Sequence, residues 1–76
     1  MTENMGKQIR SGRHRSALTQ EKLAEALGVT PQAVSKWERG EADPSTANLL
    51  ALGRLYGVPA EELLRAAAGE KNPDTP

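Results

Sequence analysis

The run from Thr19 to Gly40, TQEKLAEALGVTPQAVSKWERG, leaves the chain little conformational freedom. It spells two short helices joined by a tight turn. Thr19 is placed to cap the first, its hydroxyl accepting from an orphan backbone N–H of the first turn. Lys22, three residues on, makes this a cap without the acidic or amide partner of a full capping box. Leu23, Ala24 and Leu27 recur at helical spacing on one face. Gly28 supplies a left-handed residue to stop the helix, and Val29 crosses the turn. Thr30 then caps the second helix, and Pro31 takes its first position, where no N–H is needed. Val34 and Trp37 form the apolar side of that helix, Trp37 as a core plug rather than a stacking platform. Gln32, Ser35, Lys36 and Arg39 lie elsewhere on it, and each carries a hydrogen-bond donor. Gly40 ends it. Helices this short are marginal alone, so a further surface must hold them. Small Ala24 marks where the two should pass closest.

The rest of the chain reads as that further surface. A first helix is expected from about Met5 to Arg15, with Met5, Ile9 and the stem of Arg13 as its inner stripe. Gly6 and Gly12 weaken it, so its stability must come from packing. Ser16 to Leu18 connect it onward with Leu18 pointing inward, and no glycine marks the path of this turn. Glu41 to Pro44 is a polar connection, after which Ser45 caps a helix from Thr46 to Tyr56. Leu49, Leu52, Gly53 and Tyr56 share its inner face, whereas Leu50 and Leu55 lie off it, as peripheral core or as a subunit surface. Gly57 ends that helix and Val58 plugs the core. Pro59 opens a fifth helix, with Glu61 and Glu62 in its first turn, Leu63 and Leu64 as anchors and Arg65 near its end. Ala66 to Gly69 extend it by a turn; Glu70 to Pro76 is polar and has nothing to bury. The expectation is an all-α, five-helix domain over residues 5–68 with flexible tails at 1–4 and 69–76.

Net charge is zero over the 76 residues, but the charges are not evenly spread. Met5 to Gly40 carries seven basic and three acidic side chains, a net of +4. Glu41 to Pro76 carries three basic and six acidic ones, a net of −3. That asymmetry suits a polyanion meeting one side only. The absence of cysteine rules out disulfides and thiolate metal sites and fits a reducing compartment. No apolar run has signal-peptide or membrane-span length, so a cytoplasmic chain without a membrane partner is expected. His14 is the sole histidine and cannot build a metal site alone. With no nucleophile–base pair, glycine-rich phosphate loop or acid dyad, neither an enzyme nor a cofactor is expected.

Taken together, the segments LTQEKLA, SKWERG, DPS and YGVPAEELL resemble the helix-turn-helix of the Cro/C1-type repressor family, also called the Xre family. The likeness runs from about Met5 to Leu64. It implies a lambda-repressor-like fold, in which one helix of the motif lies across a DNA backbone while the next enters the major groove. It also implies two copies on a palindromic operator, with half-sites about one helical turn apart. By the same resemblance Gln20 contacts a phosphate from a helix N-terminus, where backbone N–H groups favour an anion. Arg13 and Glu38 match a partly buried ion pair that could orient the arginine toward phosphate.

The residues themselves add the rest of the site. Gln32 and Lys36 are four apart on one helical face; glutamine can pair bidentately with adenine, and lysine can donate to guanine. Ala33 could touch a thymine methyl, and Thr30 a methyl or a phosphate. Pro31 departs from the polar residue that some members of the family use to read a base. Arg10, Arg15, Ser35 and Arg39 complete the candidate phosphate contacts. The expected partner is double-stranded DNA, with a homodimer possible. A toxin partner is conceivable but not indicated, and a protein-interaction adaptor with this fold is the rival from another class.

Overall fold

A computed structural model describes residues 2–59 and 61–63, with side chains from Met5 onward. Four helices are complete among them: α1 (Thr2–Arg15), α2 (Gln20–Leu27), α3 (Pro31–Arg39) and α4 (Thr46–Tyr56). Glu61, Glu62 and Leu63 are helical as well, which is where the fifth helix is expected to begin. No strand occurs among the described residues. Leu64, Arg65, the extension to Gly69 and the tail beyond it lie outside them. No helix of the described residues is long and apolar enough to cross a membrane.

The caps set the helix bounds. Thr19, Thr30 and Ser45 each accept from the backbone N–H three residues on, at 3.0, 3.1 and 3.2 Å. The C-terminal stops share one geometry. After α2 and α3 the N–H groups of Gly28 and Gly40 bond three residues back, and those of Val29 and Glu41 bond five back, closing the motif that left-handed C-caps form. Gly28, Gly40 and Gly57 have φ of 73, 77 and 74°. The end of α1 makes the same bonds, Ala17 N–H to His14 and Leu18 N–H to Arg13, yet Ala17 is no glycine and holds φ at 57°. This is the turn whose path the sequence does not mark. The helix also begins at Thr2, three residues before the expected start.

A left-handed alanine is strained by about 1–2 kcal/mol against its own Cβ. Glycine removes that strain but gains freedom in the unfolded chain, which returns part of the benefit. Ala17→Gly should therefore stabilise the domain by about 0.5–1 kcal/mol, a rise in Tm of roughly 3–6 °C. Thermal unfolding followed by circular dichroism measures this, and an unchanged or lowered Tm would mean that Ala17 does not hold the left-handed conformation.

The core draws on every element. Met5 and Ile9 enter it from α1, Leu23 and Ala24 from α2, Val34 and Trp37 from α3, and Leu49 and Leu52 from α4. Leu63 closes it, 2% exposed. Leu18, Leu27, Val29 and Tyr56 pack at its margin. The Tyr56 hydroxyl donates to the Ile9 carbonyl at 2.8 Å, fixing α4 to α1. Burial raises the pKa of that phenol above its ordinary value, and the Glu38 charge adds to the rise. Leu50 and Leu55 are exposed, as their position off the inner face requires.

Gly6 and Gly12 are more than weak points in α1. A β-carbon at residue 6 would stand 2.5 Å from the Glu38 carbonyl oxygen and 2.7 Å from that of Trp37. One at residue 12 would enter the ring of Tyr56. The glycines let α1 lie directly on the end of α3 and on α4.

Candidate nucleic-acid interface

The orientation of α3 follows from its apolar side. Val34 and Trp37 are buried at 0 and 5% exposure, so the helix cannot roll without exposing both. Gln32, Lys36 and Arg39 are left exposed. Ala33 is half-buried and packs against the core, so only part of its methyl group is open to a base. The Thr30 hydroxyl is occupied as an acceptor by the Ala33 N–H, leaving its own O–H for a phosphate.

One carboxylate ties three helices together. Glu38, near the end of α3, accepts from Arg13 Nε at 2.7 Å and from Arg13 Nη2 at 3.2 Å. It also accepts from Gln20 Nε2, at the start of α2, at 3.0 Å. Arg13 Nη1 donates to the Leu18 carbonyl at 3.0 Å. The bond to Glu38 raises the arginine's pKa above its ordinary value, burial opposes this, and the Glu38 charge adds to it. The expected pairing of Arg13 with Glu38 is therefore present. Arg13 as a phosphate contact needs qualification, because three of its five N–H groups are already used within the chain. Gln20 has likewise committed one amide N–H to Glu38, so each retains only part of its donor set for an external anion.

Around this carboxylate lies a depression of about 200 Å³, lined by Arg10, Arg13, Gln20, Ser35, Glu38 and Arg39. Five of the seven candidate phosphate contacts thus share one concavity, drawn from α1, α2 and α3. Arg15 and Thr30 stand outside its lining. A second groove of about 300 Å³, lined by Ala26, Leu27, Ala51, Arg54 and Leu55, contains none of the candidate residues. Among the described residues, no group of His, Cys, Asp or Glu side chains could hold a metal ion.

Sequence reasoning missed the state of Arg39. Its Nε and Nη2 donate to the two carboxylate oxygens of Glu41 at 2.8 and 3.1 Å, and its Nη1 donates to the Ser35 hydroxyl. Hydrogen bonding, reinforced by charge, raises the Arg39 pKa and lowers that of Glu41. The only signal was the +2 spacing of opposite charges across Gly40, whose left-handed turn brings Glu41 back alongside the helix end.

A family model described as helix-turn-helix matches residues 9–63. The chain is similar to repressor protein C2 of Salmonella phage P22, 35% identical over 71 residues that cover 93% of this chain and 33% of that protein. It is 42% identical over 57 residues to the HTH-type transcriptional activator BcrR of Enterococcus faecalis, covering 75% of this chain and 26% of the other. The chain thus spans about a quarter to a third of the length of these relatives. The crystal structure of the P22 c2 repressor in complex with synthetic operator 9T matches with a TM-score of 0.76 at 37% identity, covering 82% of this chain and 94% of that one.

Proposed function

The chain belongs to the Cro/C1-type helix-turn-helix family, and from that premise we propose that it binds double-stranded DNA sequence-specifically and represses transcription, two copies sharing a palindromic operator. The observation that carries this reading is the depression in which Arg10, Arg13, Gln20, Ser35 and Arg39 meet beside the exposed Gln32 and Lys36 of α3. Phosphate contacts fix the register of a protein on the duplex, and base-edge contacts give the sequence preference. Both kinds of group stand here on neighbouring helices, with α3 locked in orientation by its apolar side. Repression is favoured by the likeness to a phage repressor whose operator complex is solved, although an activator is also among the relatives.

Selection of bound sequences from a random duplex library tests the binding, and a reporter carrying the selected site tests the sign of regulation. Failure to enrich any sequence would overturn the specific-binding reading. Gln32→Ala and Lys36→Ala should each lose about 1–3 kcal/mol at one or two base pairs per half-site and little elsewhere. Random-sequence binding should survive largely intact in Gln32→Ala. If both variants keep the parent's preference across a panel of single-base operator changes, α3 does not read the bases.

A further inference from the structure

Arg39 is the one arginine that α3 presents to the phosphate depression, and its guanidinium is already occupied by groups of its own chain. Gly40, with φ at 77°, turns the chain so that both carboxylate oxygens of Glu41 face Nε and Nη2. That two-toothed geometry is the one a phosphate would use on the same side chain. Carboxylate and phosphate therefore compete for one fork. Both partners of the pair are about half exposed, at 53 and 54%, so a phosphate can reach the arginine and displace the carboxylate. Exposed pairs of this kind are weak, so the displacement is feasible but not free.

Resting on the DNA-binding reading above, we infer that Glu41 is an intramolecular competitor that holds Arg39 away from the DNA backbone and so limits the affinity of the chain for any duplex. The effect falls on phosphate contact alone and is the same for every sequence. It also lowers the number of counterions released on binding, because a paired arginine contributes less to the contact than a free one.

The test uses the full chain, a short random-sequence duplex and four proteins: the parent, Glu41→Gln, Arg39→Ala and the double variant. Glu41→Gln should bind roughly two- to five-fold more tightly at low salt, the range an exposed ion pair can withhold. Its log–log salt slope should steepen by up to about 0.9, the increment for one further phosphate contact. Both gains should vanish when Glu41→Gln is made in the Arg39→Ala background. Glu41 is exposed, so a matched thermal unfolding curve confirms that the fold is unchanged. Unchanged affinity and slope in Glu41→Gln would overturn the inference. A gain that persists without Arg39 would overturn it as well, since Glu41 would then act on Lys36 or on the DNA directly. If the parent binds no duplex at all, the DNA-binding reading fails and this inference falls with it.

Discussion

Gly6→Val should lower the stability of the domain by about 3 kcal/mol or more, a fall in Tm of at least roughly 12 °C. Gly6→Ala should lower it by about 1–2 kcal/mol even though alanine is the better helix former by close to 1 kcal/mol. The reason is what a β-carbon would meet. At residue 6 it stands 2.5 Å from one backbone carbonyl oxygen of α3 and 2.7 Å from another. Backbone atoms of a packed helix cannot rotate aside as a side chain can, so α1 must move away from α3. The valine methyls deepen the clash. That movement also pulls Arg13 from Glu38, so the loss of duplex binding should accompany the loss of stability. Gly12→Ala is the useful contrast, because there the obstacle is the Tyr56 ring, which can shift at the expense of its bond to Ile9. Ser11→Ala, exposed on the same helix, should leave the Tm nearly unchanged. Thermal unfolding of the set measures all four. Equal Tm values for Gly6→Ala and Ser11→Ala would show that α1 does not rest on α3 at residue 6.

The glycine at position 6 shows where sequence reasoning runs out. In the sequence it reads as a weakness in a helix, because propensity is local. Its use is a close approach to residues more than thirty positions away, which no local rule reports. The helix bounds were legible for the opposite reason. Thr19, Thr30 and Ser45 cap through bonds three residues long, and Gly28, Gly40 and Gly57 stop helices through their own φ. Where the stop is Ala17 the signal disappears, although the hydrogen bonds are the same. The site divides similarly. The polar face of α3 follows from its periodicity, and Val34 and Trp37 fix which face that is. The pairing of Arg13 with Glu38, 25 residues apart, came from resemblance to the family and not from spacing. The resemblance implies a phosphate contact for Gln20, and its bond to Glu38, 18 residues away, is one that no local spacing reports.

Glu38→Ala should cost about 3 kcal/mol of folding stability, although the residue belongs to no hydrophobic cluster. Its side chain is 4% exposed and that of Arg13 is 11% exposed, so the pair sits largely out of water. The net value of such a pair is small, because desolvating both charges offsets most of their attraction. Removing one partner is different. The arginine keeps its burial and its bond to the Leu18 carbonyl but loses both carboxylate bonds, while Gln20 loses its acceptor. An apolar replacement of both charges, Arg13→Met with Glu38→Leu, should recover part of the lost stability, since no charge is then left without its partner, while the Gln20 amide and the Leu18 carbonyl each give up one bond. The two proteins separate structure from function. In both, Gln20 loses its brace, but only the double variant also loses the Arg13 cation, so the double variant should bind random duplex more weakly than the parent, while only Glu38→Ala should melt early. Urea unfolding gives the stabilities, and titration of the duplex gives the binding. If Glu38→Ala unfolds at the parent's midpoint, the carboxylate does not hold α1, α2 and α3 together. If the double variant binds as the parent does, the depression is not where the phosphate backbone rests.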